Sequence, residues 1–159
     1  MPVSVQYELT GSGDSACTVE IDGRKVQTTA SYLGDALGDL LRTVSDLLQG
    51  AGEASFSFDE EPGEYRWRFF NDGSGGIRIR IRWFDKLWGQ EPDEDGKVVF
   101  DARCRLRTFA GAVASAAQAV LDKHGMEGYE KEWIEHCFPI GLLQEIQQML
   151  QSSRPTRLA

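Results

Sequence analysis

Three short runs of strict alternation constrain this chain more than any other feature. Arg66 and Arg68 alternate with Tyr65, Trp67 and Phe69. Arg78, Arg80 and Arg82 alternate with Ile77, Ile79, Ile81 and Trp83. Arg103, Arg105 and Arg107 stand between Phe100, Ala102, Cys104 and Leu106. A period of two sends successive side chains to opposite faces of a strand. Each run therefore reads as a strand with one apolar face turned to a core and one face of guanidinium groups turned outward. Eight of the twelve arginines of the chain lie on this single phase.

The short connections between these runs predict antiparallel pairing. A meander is expected over 53–107, opening on a strand marked by Phe56 and Phe58. Glu61-Pro62-Gly63-Glu64 reads as a type II turn, with Pro at its second position and Gly at its third. Asn71 to Gly76 reads as a flexible hairpin loop, and 85–97 as a longer loop carrying Trp88 and five acidic residues. Trp67, Phe69, Trp83, Phe56 and Phe58 share the apolar phase and form the expected core layer.

Upstream, Val3, Val5, Tyr7 and Leu9 mark a first strand. Cys17, Val19 and Ile21 lead to Asp22-Gly23, a strong two-residue hairpin signal, because both central positions need positive φ. A helix is expected over 31–49, from the stripe Tyr32, Leu33, Ala36, Leu37, Leu40, Leu41, Val44, Leu47 and Leu48. Ser31 is its expected cap and Gly50 its expected stop. Downstream, Thr108 is expected to cap an alanine-rich helix that ends at Gly125. This stretch has no charge between Thr108 and Asp122, so it should be buried on more than one side. A short helix should hold Tyr129 and Trp133 one turn apart, and a third helix should pack Leu142, Leu143, Ile146, Met149 and Leu150. The expected fold is α+β, a mostly antiparallel sheet of about six or seven strands with helices packed on one face. Residues 1–151 are expected to form one domain and 152–159 a loose tail.

The arginine phase is the one candidate functional feature. The chain as a whole is acidic, with 25 Asp plus Glu against 17 Lys plus Arg and a formal charge of −8. A cationic face on an anionic body invites three readings. The arginines can be solvated or paired within the chain, to Asp59, Glu64, Asp101, Glu20 or the acidic loop 91–95. They can meet an acidic protein partner. They can hold a phosphate-bearing ligand. Exposed pairs contribute only about 0–1 kcal/mol each, and eight guanidinium groups meet few carboxylates in their own strands. Arg66, Arg68, Arg78, Arg80, Arg82, Arg103 and Arg105 are therefore the candidate partner-binding residues. Trp88 joins them, because interface hot spots favour Trp and Arg; its alternative is a lid over the core.

Other chemistry finds little footing. Glu91, Asp93 and Asp95, followed by Gly96, imitate the opening of a calcium loop, but the position eleven residues after the first is Ala102 rather than glutamate. His124 and His136 lack the neighbours that a metal site or a Cys/His pair requires. No glycine-rich turn follows a strand and opens a helix, and no Gly-x-Ser-x-Gly elbow is present. Net negative charge disfavours general affinity for nucleic acid. Cys17, Cys104 and Cys137 are odd in number and widely spaced, which suits free thiols in a reducing cytoplasm. The N-terminus reads as a strand rather than a signal peptide, and no run is apolar enough to span a bilayer. These features describe a non-catalytic cytosolic interaction protein with no cofactor or metal. It would bind an acidic protein partner or self-associate; an immunity- or antitoxin-type neutraliser and an accessory subunit belong to this class. The rival is a binder of, or enzyme acting on, a small anionic ligand held by the same arginines.

Overall fold

A computed structural model describes residues 2–134 and 136–152. Seven strands and three helices follow the order β1 (Val3–Gly11), β2 (Asp14–Ile21), β3 (Arg24–Ser31), α1 (Ala36–Leu48), β4 (Glu53–Glu60), β5 (Gly63–Asn71), β6 (Gly76–Phe84), β7 (Lys97–Arg105), α2 (Leu106–Trp133) and α3 (Ile140–Ser152). The α+β class and the number of strands are those expected. The strands divide into two antiparallel sheets, one ordered β1-β2-β3 and one ordered β4-β5-β6-β7. The division falls at α1: every other strand connection before or after it is short enough to close a hairpin, whereas α1 carries the chain away from β3 before β4 begins.

Asp22 and Gly23 both have positive φ, 51° and 84°, and join β2 to β3 with Ile21 opposite Arg24. This is the tight hairpin that the Asp-Gly pair encodes. The β4–β5 turn differs from expectation. Its Glu61–Pro62 bond is cis, Glu60 pairs with Gly63, and Gly63 is not left-handed. Proline thus sits third in the turn rather than second, as a cis-proline turn requires. Gly63 is needed for another reason: a Cβ there would lie 2.0 Å from the Phe84 carbonyl and 2.6 Å from the Trp83 ring.

Helix α1 begins five residues later than the apolar stripe suggested. Strand pairing carries β3 through Ser31, which lies opposite Asp14, and the Ser31 hydroxyl donates to the Asp59 carbonyl at 3.0 Å. Asp35 caps the helix instead, accepting from the Gly38 N–H at 3.2 Å. Gly50 follows the helix with φ 105°, as expected. Helix α2 begins at Leu106 with no side-chain cap, so Thr108 lies inside it, and Arg107 is on the helix rather than on the sheet. The chain is non-helical at Gly125, φ 71°, which separates the alanine-rich part from the turn holding Tyr129 and Trp133. Both of those rings are fully buried. Ser152 ends α3; the rest of the expected tail lies outside the described residues.

One buried apolar cluster draws on both sheets and all three helices. Trp67, Phe69 and Phe58 lie at its centre, Phe56 stacks on Trp67 from a partly buried position, and Phe69 meets Phe109 of α2. Each fully buried ring or aliphatic chain of this kind is worth roughly 1.5–3 kcal/mol. Trp83 is only half-buried, at the end of β6, where it packs against Tyr65 with ring centroids 4.8 Å apart. The apolar phase of the four-stranded sheet is therefore committed inward, which fixes the arginine phase outward. Among the described residues, no helix is long and apolar enough to cross a membrane.

Candidate functional site

Register decides which arginines meet. Arg66 lies opposite Arg82, Arg68 opposite Arg80, and Arg78 opposite Arg103. Directly opposed like charges destabilise a sheet, so the face needs counter-charges; Glu64, 3.5 Å from Arg66 Nη2, and two aspartates supply them. Asp101 on β7 accepts from Arg78 Nε and Nη2, both at 2.8 Å, and from Arg80 Nε at 3.1 Å. Asp93 reaches down from the 85–97 loop, accepting from Arg66 Nη1 at 2.7 Å and from Arg68 Nε. Each aspartate thus joins two arginines that follow one another on the same face of one strand. Both carboxyls are held below the usual carboxylate range. For Asp101 the Arg78 hydrogen bonds are the main cause; for Asp93 burial works the other way but is outweighed by Arg66 and Arg68.

The loop over 85–97 is built onto the face by Arg66. Its Nη1 also donates to the Glu91 carbonyl at 2.8 Å, and its guanidinium lies 3.9 Å from the centre of the Phe84 ring. Glu64, buried beside it, accepts from the Ser57 hydroxyl at 3.0 Å and from the Trp88 backbone N–H at 3.1 Å. The Leu87 N–H donates to the Pro62 carbonyl at 2.9 Å. These bonds fix the base of a segment in which Trp88 and Gln90 both have positive φ, 59° and 56°. Trp88 is 63% exposed, so it does not form the lid considered from the sequence. It stands out beside Asp59, whose carboxyl is raised by burial despite a hydrogen bond from the Trp88 side chain.

Three arginines remain. Arg82, Arg103 and Arg105 have no carboxylate within ion-pair reach among the described residues, and the Arg82 Nε is buried without a hydrogen-bond partner. Arg103 and Arg105 are exposed on β7, an edge strand. The groups described at the arginine face come mainly from its own strands and the 85–97 loop. Arg24, from the Asp22-Gly23 hairpin of the other sheet, donates to the Asp101 carbonyl at 2.7 Å.

Arg24 was not foreseen. It is 77 residues from Asp101 in sequence, and only the packing of the hairpin against the β7 edge brings it there. Glu64 was foreseen only as one more counter-charge; its alternation with the arginines gave the face, but not its contact with Trp88. The acidic loop was foreseen as a possible internal partner, and Asp93 fills that role. Asp93 is thereby spent on arginine, and among the described residues no group of three His, Cys, Asp or Glu side chains is placed to hold a metal ion. Cys17 and Cys104 are buried and free, and burial pushes their thiols up to about 12 and about 11; Cys137 is free and exposed.

No protein-family model and no curated protein matches the sequence. Among solved structures, the chain is similar to a chain of the CdiA-CT/CdiI toxin and immunity complex from Enterobacter cloacae. The identity is 10%, the match covers 74% of this chain and 99% of that one, and the TM-score is 0.49.

Proposed function

We propose that this chain is a non-catalytic interaction protein that binds an acidic protein partner through the outer face of its four-stranded sheet. The observation that carries this reading is the uneven neutralisation of that face. Arg66, Arg68, Arg78 and Arg80 pair with Asp93, Asp101 and Glu64, while Arg82, Arg103 and Arg105 form no ion pair among the described residues. A guanidinium that retains its donors is suited to forked recognition of carboxylate. Trp88 supplies an exposed apolar anchor at the end of the same face, preset by Glu64. An acidic partner is favoured over self-association, because a two-fold contact would bring this face against its own copy and oppose like charges. An immunity- or antitoxin-type neutraliser or an accessory subunit would have this character. We propose also that residues 1–151 act as one domain, a reading supported by the one buried cluster that runs through both sheets and all three helices. Two buried free thiols favour a reducing, cytoplasmic setting.

The test is capture from native lysate at low salt, comparing the wild-type chain with Arg82/Arg103/Arg105→Ala and with Arg42→Ala. Arg42 lies on α1, paired with Asp39 at 2.7 Å, and controls for loss of positive charge elsewhere. The expected result is a partner retained by the wild type and by Arg42→Ala and lost by the triple variant, with binding of the purified partner weakening steeply as salt rises. Retention of the same protein by all three would overturn the assignment of the surface.

A further inference from the structure

Two concavities meet at the cross-strand pair Arg78 and Arg103. One, of about 400 Å³, opens where the Asp22-Gly23 hairpin packs against the β7 edge and is lined by Arg24, Arg78 and Arg103 together with Asp22 and Asp101. The other, of about 450 Å³, is lined by the same Arg78 and Arg103 and by Phe70, Arg80 and Asp72. The first is therefore cationic and polar, and the second adds the Phe70 ring, with Asp72 as its acidic member.

The donor inventory of the first concavity exceeds what the chain consumes. A guanidinium carries five N–H donors. Arg78 spends Nε and one Nη2 hydrogen on Asp101, Arg24 spends one Nη1 hydrogen on the Asp101 carbonyl, and Arg103 donates to no described residue. The acidic lining cancels part of this charge: Asp101 and Asp22 stand against three guanidinium groups and leave the lining net positive. A single carboxylate can be satisfied by one guanidinium fork. Three forks arriving from three different strands suit an ion with acceptors in several directions and more than one negative charge.

We infer that this end of the sheet binds a phosphate monoester, its phosphate among Arg24, Arg78 and Arg103 and a ring-sized organic body beside Phe70. Each concavity is within the size range of small-molecule sites. The site lies at the opposite end of the face from Trp88: the rows run from the Glu64–Phe84 pair beside the Trp88 loop to the Gly76–Arg105 pair beyond Arg78. This inference does not rest on the protein-partner reading.

The experiment titrates the purified full chain with inorganic phosphate, phenyl phosphate and benzoate by calorimetry, with ionic strength held constant by sodium chloride. Saturable binding of phenyl phosphate is expected, at least threefold tighter than inorganic phosphate, with benzoate at least tenfold weaker than phenyl phosphate. Arg24→Ala and Arg103→Ala should each weaken both phosphates at least fivefold, and Arg24→Lys should restore part of the loss. Phe70→Ala should remove the advantage of phenyl phosphate and leave inorganic phosphate unchanged. Circular dichroism and melting in chloride identify any variant that fails to fold. Absence of saturable binding, unchanged affinity in folded Arg24→Ala and Arg103→Ala, or equal affinity for the two phosphates would overturn the inference. No partner protein is present in this titration, so its failure leaves the protein-partner reading to its own test.

Discussion

Asp93→Asn is the substitution that isolates what the acidic loop contributes to the arginine face. Asn keeps the shape of Asp93 but removes the charge that two guanidinium groups share. The Asp93 side chain is 24% exposed, Arg66 16% and Arg68 36%. A hydrogen bond to a charged group contributes about 1.5–3 kcal/mol when shielded, and an exposed ion pair about 0–1 kcal/mol, so this partly screened pair of contacts is worth about 1–2 kcal/mol together. For a chain of this size that corresponds to a fall in Tm of about 2–8 °C near neutral pH. The sign of the pH dependence follows from the direction of the shift. The folded-state pKa of Asp93 is lowered, so its contribution is fully present above the ordinary carboxylate range and disappears as the pH falls through the lowered folded value. Urea denaturation of wild type and variant, stepped from pH 7 downward, should therefore show a gap that is widest at neutral pH and closes in acid. Asp95→Asn, an exposed neighbour in the same 3-10 turn, should show almost none. A gap that stays constant through the carboxylate range, or no gap at pH 7, would refute the assignment of Asp93 as the counter-charge of Arg66 and Arg68.

Two further outcomes test the frame that holds this face. Gly63→Ala places a methyl group against the Phe84 carbonyl and the Trp83 ring, which neither can yield without breaking the β5–β6 pairing. It should cost about 3 kcal/mol by thermal or urea melting; a loss under about 0.5 kcal/mol would contradict the close approach. In the native protein at pH 8, a thiol reagent should modify Cys137 rapidly and leave Cys17 and Cys104 intact, with all three reacting in denaturant, as read by mass spectrometry of the labelled peptides.

The period-two pattern made the sheet legible because burial of one face leaves no freedom in the other. Once Trp67, Phe69, Ile77, Ile79 and Ile81 pack inward, Arg66, Arg68, Arg78, Arg80 and Arg82 can only point out. The Asp22-Gly23 hairpin was legible for an equally local reason, since few residue pairs accept positive φ twice. The start of α1 was not. Its apolar stripe continues back to Tyr32, but hydrogen bonding of β3 to β2 claims Ser31, and Tyr32 and Leu33 end up exposed in the turn. The β4–β5 turn failed similarly: Pro62 and Gly63 fit a type II turn by composition, while the register Glu60–Gly63 moves proline to the third position. A pattern also cannot rank the arginines, because which are neutralised depends on where Asp93 lands, 27 residues from Arg66 and 25 from Arg68.

That ranking is what gives the face its direction. Along β6, Arg78 and Arg80 share the single carboxylate of Asp101, so half of their charge is met within the sheet. Along β5, Arg66 pairs with Glu64 of its own strand at 3.5 Å as well as with Asp93, whereas the ion pair of Arg68 is to Asp93 and depends on the 85–97 loop staying down. Arg82 lies between these two pairs, opposite Arg66 and beside the register shift at Ile81/Arg82, with its Nε buried and unbonded. A partner carboxylate meeting the half-buried Arg82 guanidinium would form a shielded, charge-assisted pair worth about 1.5–3 kcal/mol. A carboxylate delivered at Arg105 would gain only a screened surface pair. Of the three arginines without counter-charges, Arg82 should therefore dominate the affinity of an acidic partner, while Arg103 and Arg105 set how fast it arrives and how strongly salt slows it.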